Sequence, residues 1–134
     1  MILRHRQDEF IEILSEMDNW QEKFNIIIEL SNSIPGSCPE DLLKYRIGSC
    51  QSKTCFKAET INNTLHVWGW SNSAIMGGVI VAIKNIFDGL PIEYLYGNDV
   101  DFHIKSGLMD NLTVMRKSAV LEIINRIIVL SISK

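Results

Sequence analysis

The chain has 134 residues, 46% of them hydrophobic and 22% charged, which predicts one domain over residues 1–134 and excludes a disordered chain. The formal charge of −3 argues against a protein that binds nucleic acid by neutralising phosphates. The longest uncharged apolar stretch, residues 74–83, is far shorter than the roughly 20 residues of a bilayer span, so no membrane segment is expected. The N-terminus lacks an apolar export signal and the three cysteines are an odd number, so we expect a cytoplasmic protein without structural disulfides.

Two helices are predicted in the N-terminal part. Apolar residues recur at helical spacing over residues 7–17, and the capping-box patterns of residues 18–22 restart a helix. We expect a helical hairpin whose second helix is ended by Pro35-Gly36. A short helical turn is expected before Lys44. The core face of the second helix is predicted to carry Trp20, Phe24, Ile27, Ile28 and Ser31.

The period then changes to that of strands. Residues 54–61 and 64–71 flank Asn62-Asn63, two residues that tolerate the positive φ of a tight turn, and this pattern predicts a β-hairpin. A two-residue loop places Phe56 opposite Gly69 on the face expected to join the core. The other face is expected to be half solvated, with Cys55 opposite Trp70, Lys57 opposite Trp68 and Glu59 opposite His66.

Helices dominate the rest of the chain. One is predicted from about Ala74 to Phe87, and its Gly77-Gly78 pair indicates close packing against another backbone. A short helix is expected from Pro91 to Gly97, then an irregular stretch with one turn around residues 102–106, and a final apolar helix from near Thr113. The predicted fold class is therefore α+β, a small antiparallel sheet with a possible short edge strand packed with helices.

A cluster of basic residues surrounds one cysteine. Between Leu42 and Ala58 every charged side chain is basic, and Cys50 stands in the middle, in a loop of small residues. Neighbouring cations favour the thiolate, the nucleophilic form of cysteine, so Cys50 is a candidate reactive centre. A partly buried loop cysteine with incidental lysines explains the same composition.

The sequence contains no motif for cysteine-dependent hydrolysis, zinc binding or phosphate binding. The three histidines lie in unrelated segments, so no hydrolase constellation can be assembled around a cysteine. Cys38, Cys50, Cys55 and His66 lack the paired C-x-x-C spacing of structural zinc sites, and no metal site is predicted. No glycine-rich phosphate cradle is present.

From Asn19 to about Ile127 the sequence resembles the SufE family of sulfur acceptor proteins. The order and spacing of several blocks carry the resemblance: Asn19-Trp20-Gln21-Glu22-Lys23-Phe24, Cys50-Gln51-Ser52, Ser71-Asn72-Ser73-Ala74-Ile75, Gly107-Leu108, and Leu112-Thr113 followed by Arg116 and Arg126-Ile127. The resemblance implies the fold shared by SufE and IscU proteins. It also implies that the chain accepts sulfane sulfur from a cysteine desulfurase (SufS-like) and passes it to an iron–sulfur scaffold (SufB-like).

The resemblance assigns residues as well. Cys50 matches the acceptor cysteine, which would carry a transient persulfide, while no cofactor is bound stably and the PLP belongs to the desulfurase. Supporting roles fall to Gly48, Ser49, Gln51, Ser52 and Arg116, and partner contacts to Lys44, Arg46 and Lys53. The chain departs from the family pattern at Ser49, Cys55 and Asn72, where the family commonly has Gly, Trp and Asp.

Several alternatives stay open at this point. The chain could be a metal or iron–sulfur scaffold that uses Cys38, Cys50 and Cys55, or a desulfurase activator that carries no sulfur. It could be a monomer or a homodimer. Because Cys55 is only five residues from Cys50, an oxidant could join the two in a protective disulfide.

Overall fold

The computed structural model describes residues 1–48 and 52–132. Within these ranges, helices pack with one two-stranded antiparallel sheet, which confirms the predicted α+β class. Short 3₁₀ turns lie at residues 31–33, 40–45, 92–95 and 108–111. The helices and strands, in chain order, are α1 (Ile2–Ser15), α2 (Trp20–Leu30), β1 (Thr54–Ile61), β2 (Thr64–Ser71), α3 (Ala74–Phe87), α4 (Phe102–Lys105) and α5 (Val114–Ile132).

The hairpin has the predicted bounds and register. Asn62 and Asn63 have φ angles of 53° and 63°, and the turn pairs Phe56 with Gly69 and Thr60 with Leu65. The predicted core face is confirmed, because Phe56 and Leu65 are wholly buried against helices α3 and α5. The expected edge strand is reduced, within the described ranges, to single bridges that join Arg46 to Cys55 and Thr64 to Pro91.

The outer face of the hairpin differs from its prediction at one end. Cys55 and Trp70 are buried, because Leu42 of the 40–45 turn packs over them. The Trp70 indole also donates a hydrogen bond to the Pro35 carbonyl at 2.8 Å. The pairs Lys57 with Trp68 and Glu59 with His66 are half-buried, as expected for this face.

Helix α3 lies at the centre of the helical layer, with α1 and α2 packed against it. It has the predicted bounds, begins with a bond from the Met76 amide to the Ser73 hydroxyl and ends at Asp88. The glycine pair explains how close α2 can come: a Cβ on Gly78 would overlap the Ile27 carbonyl. The close packing predicted from Gly77-Gly78 is therefore confirmed.

The outer helices refine the predictions. Helix α1 starts at Ile2, earlier than the pattern predicts, and α2 ends at Leu30, before Pro35-Gly36. Ile28, predicted to be in the core, is 37% exposed, while Ile27 is wholly buried. Helix α5 starts one residue after Thr113 and buries Val120, Ile123, Ile124 and Ile127 on one face. The stretch 98–111 contains the 108–111 turn in addition to the predicted one.

A buried histidine in α4 predicts how stability depends on pH. Burial lowers the pKa of His103, and this effect exceeds the opposite influence of the Asp101 carboxylate. Among the described residues, the His103 Nδ1 atom has no hydrogen-bond partner. The unfolded chain therefore takes up the proton first as the pH falls, so stability should decrease from pH 7 towards pH 5.

We expect His103→Gln, which cannot titrate, to reduce this slope by up to about 1.4 kcal/mol per pH unit. Urea unfolding at pH 7, 6 and 5 measures the slope. An identical slope in the variant would assign the acid sensitivity to other groups.

Candidate functional site

Two described arms flank the Cys50 segment at one end of the hairpin: an incoming arm at residues 46–48 and an outgoing arm at residues 52–54. Ser49, Cys50 and Gln51 lie outside the described residues, but both flanking arms are described. The Ile47 amide donates to the Thr54 carbonyl at 2.8 Å, and Arg46 forms an antiparallel bridge with Cys55. Ile47 and Thr54 are both fully buried. The two arms are thus paired, and the candidate segment is anchored where β1 begins.

The outgoing arm is also tied to the chain between β2 and α3. The Asn72 amide donates to the Lys53 carbonyl at 3.0 Å, and the buried hydroxyls of Thr54 and Ser71 are 2.8 Å apart. The Ser71 hydroxyl in turn accepts from the Ser73 amide at 3.1 Å. The hydroxyl of Ser52, a predicted supporting residue, lies 3.4 Å from that of Thr54. Hydrogen bonds therefore connect the start of α3 to the loop base, by which we mean the paired residues 46–47 and 53–55 on either side of the Cys50 segment.

Arg126 of α5 supports the incoming arm. Its guanidinium donates to the carbonyls of Tyr45 and Phe56 at 2.9 and 2.6 Å and to that of Arg46 at 3.2 Å. It also pairs with the Glu122 carboxylate at 2.7 Å. No role is predicted for Arg126 from the sequence, although an arginine among the isoleucines of an apolar helix is an available signal. Its bonds join the 40–45 turn, β1 and α5 at one point.

The predicted cations are only partly brought together. Arg46 and Lys53 lie on the two arms. Burial raises the pKa of the Cys55 thiol, and the positive charges of Arg46 and Lys53 act in the opposite direction. Lys44 is exposed on the 40–45 turn, with its ammonium 5.5 Å from the centre of the Tyr45 ring. Lys57 lies over the Tyr45 and Trp68 rings on the outer face. The local charge at the loop base therefore comes chiefly from Arg46 and Lys53.

Arg116 lies in the first turn of α5, half-buried. Further along α5, Arg126 donates to the Phe56 carbonyl, and Val129 and Leu130 line a cleft with Ala58. Arg116 precedes Arg126 by ten residues, which is about 15 Å along a helix axis. The supporting role expected of Arg116 stays a prediction.

A Cβ at Gly48 would meet no atom of the described residues within 4 Å. Contacts with these residues therefore do not require a glycine at position 48, and the supporting role expected of Gly48 stays a prediction. Ser49, Cys50 and Gln51 themselves fall outside the described residues.

Two thiols meet on the outer face of the hairpin. The Cys38 and Cys55 sulfurs are 3.8 Å apart. Over residues 1–48 and 52–132, no three His, Cys, Asp or Glu side chains are grouped so that they could hold a metal ion. The scaffold alternative needs Cys50 as well, so it stays untested. In the same described ranges, no helix is long and apolar enough to cross a membrane.

This chain is similar to a known protein family and to individual known proteins. The SufE family, described as an Fe-S metabolism associated domain, matches residues 8–130. An uncharacterized SufE-like protein of Haemophilus influenzae is 26% identical over 109 residues, which are 79% of this chain and 86% of that protein. Another from Rhizobium etli is 22% identical over 126 residues, 90% of this chain and 85% of that one.

A solved structure supports the fold. The solution structure of a hypothetical protein from Thermus thermophilus has a TM-score of 0.69 and 14% identity, and the alignment covers 96% of this chain and 97% of that one. The family match extends over nearly the whole chain, including both anchored arms of the Cys50 segment. The chain therefore belongs to the SufE family, and its role lies in iron–sulfur metabolism.

Proposed function

We propose that this chain is a sulfur acceptor and carrier, in which Cys50 takes sulfur from a SufS-like cysteine desulfurase and delivers it to a SufB-like scaffold. The observation that carries the proposal is the anchored base of the Cys50 segment. Backbone bonds hold both arms, and Arg46 and Lys53 place positive charge on them. This is a suitable setting for a cysteine that must be presented to a partner. Family membership supports the sulfur chemistry.

The proposed transfer conserves atoms and electrons. The Cys50 thiolate attacks the outer sulfur of a persulfide on the desulfurase cysteine. A new S–S bond forms to Cys50 as the old one breaks, and the desulfurase cysteine leaves as a thiolate. A thiolate on the recipient repeats the attack and restores Cys50. Nearby cations favour both the thiolate and the bound persulfide anion.

Intact-mass measurement after incubation with a desulfurase and cysteine tests the function. We expect the chain to gain one sulfur atom, and Cys50→Ser to abolish the gain. Cys38→Ser makes the same chemical change at a half-buried cysteine and should keep it. A gain that persists in Cys50→Ser and maps to Cys38 would overturn the assignment. Stimulation of the desulfurase without any sulfur on the chain would favour the non-carrying activator.

The basic arms predict a salt-dependent effect on docking. We expect Arg46→Glu combined with Lys53→Glu to slow sulfur uptake about tenfold at low salt, and much less above about 0.5 M salt, because screening shortens the reach of charge. The fold should survive, since both residues contribute backbone bonds to the loop base. Uptake kinetics measured against salt concentration check this.

Arg46→Gln combined with Lys53→Gln is the matched control. It removes the two positive charges without adding negative ones, so its rate should fall between those of the wild type and the reversal. Rates that are equal in all three proteins at low salt would move the docking surface elsewhere.

A further inference from the structure

The outer face of the hairpin contains a pair of thiols that the proposed transfer does not use. Cys38 precedes the 40–45 turn, Cys55 lies in β1, and their sulfurs are in contact at 3.8 Å. Around them pack Leu42 and Trp70. Cys38 is half-buried, whereas Cys55 is wholly buried. An oxidant therefore reaches the pair from the Cys38 side.

We propose that Cys38 and Cys55 are an oxidisable dithiol, which a peroxide converts into an intramolecular disulfide. The two sulfurs need to approach by less than about 2 Å to reach the bond length of about 2.05 Å. Cys55 is held by strand pairing, but Cys38 belongs to the irregular segment between the turns at 31–33 and 40–45. Movement of that segment can bring the sulfurs together while β1 stays in place.

Burial determines which of the two cysteines reacts first with peroxide. It raises the pKa of the Cys55 thiol, which therefore stays protonated, so the more exposed Cys38 is the first to react. The Cys38 thiolate attacks one peroxide oxygen, the O–O bond breaks, and a sulfenic acid and hydroxide form. The Cys55 sulfur then attacks the sulfenic sulfur, and the hydroxyl leaves with the Cys55 proton as water. Overall, two thiols and one hydrogen peroxide give one disulfide and two waters.

The bridge would brace the incoming arm of the candidate site. It would close a loop between two positions 17 residues apart, and this loop contains the 40–45 turn and Arg46. Cross-linking a loop of this size restricts the unfolded chain, so we expect the melting temperature to rise by on the order of 10 °C. The sequence spacing allowed a different bridge, from Cys55 to Cys50. Among the described residues, the sulfur that contacts Cys55 is that of Cys38.

The test uses Cys50→Ser, which removes the competing thiol and makes the result independent of the proposed sulfur transfer. After treatment with hydrogen peroxide, we expect the loss of two hydrogen atoms by intact mass and a cross-linked peptide that contains positions 38 and 55. Dithiothreitol should reverse both changes and the rise in melting temperature. Because Trp70 packs against Cys55, its fluorescence should also change.

Two further proteins keep the inference falsifiable. Cys38→Ser should form no such cross-link, and peroxide should not raise its melting temperature. In the wild type the same 38–55 peptide is expected beside any oxidation of Cys50. Oxygen added to Cys38 without a cross-link in Cys50→Ser, or a wild-type bridge that joins Cys50 to Cys55 instead, would overturn the proposal.

Discussion

Gly78→Ala should lower the free energy of unfolding by at least about 4 kcal/mol, a large part of the roughly 5–15 kcal/mol that stabilises an ordinary domain. The added Cβ would overlap the Ile27 carbonyl oxygen and lie 2.6 Å from its carbon. These are backbone atoms of a neighbouring helix, so no side-chain rotation relieves the contact. Helices α2 and α3 would have to move apart, and the packing of Ile27 against α3 would loosen. Urea unfolding followed by circular dichroism measures the change.

Gly48→Ala is the matched control for this prediction. Here the same methyl group meets no atom of the described residues within 4 Å and φ is not positive, so stability should change by no more than about 0.5 kcal/mol. If the two alanine variants unfold at the same urea concentration, the close approach of α2 to α3 is not a constraint on the fold. The control also tests the loop, because normal sulfur uptake by Gly48→Ala would show that glycine itself is not needed there.

Arg126→Met should cost about 3 kcal/mol of stability and loosen the base of the Cys50 segment. Methionine keeps much of the aliphatic stem but leaves the carbonyls of Tyr45, Arg46 and Phe56 without their charged donor. The Arg126 side chain is 29% exposed, so water compensates in part and holds the loss below the sum of separate bonds. The amide of Ile47, which bonds to Thr54, should exchange its hydrogen faster.

Arg126→Lys tests the contribution of the planar guanidinium separately from that of the positive charge. Lysine keeps the positive charge beside Glu122, but its single ammonium cannot reach the same carbonyls as a planar fork. We therefore expect an intermediate loss of stability and intermediate exchange at Ile47. Exchange at Ile47 that is unchanged in both variants would show that backbone pairing alone holds the incoming arm.

Local patterns were sufficient for the hairpin and for α3. Alternation of side chains and the Asn62-Asn63 turn determine the register, and Ser73 and Asp88 mark the ends of α3. These signals act between near neighbours in the chain, which is why the predicted bounds agree with the structure.

Contacts between distant residues could not be read in the same way. Cys55 and Trp70 are buried because Leu42 folds over them, and strand periodicity contains no information about that turn. Likewise, the buried Gln7 amide group bonds to the backbone of Asp99 and Asp101, which fixes the stretch before α4 from another element. The contacts of Arg126 with the loop base are long-range in the same sense.

The loop base is held by bonds to backbone atoms, and this affects which substitutions it tolerates during evolution. Ile47 and Thr54 are joined through their backbones, Lys53 contributes its carbonyl, and Arg126 binds the carbonyl of Arg46 rather than its side chain. Mutations that change the charged side chains at positions 46 and 53 therefore leave these bonds in place. If these two side chains recognise a partner as proposed, selection on that recognition can act almost independently of selection on folding. Relatives that differ widely in sequence can thus keep one loop architecture while their partners diverge.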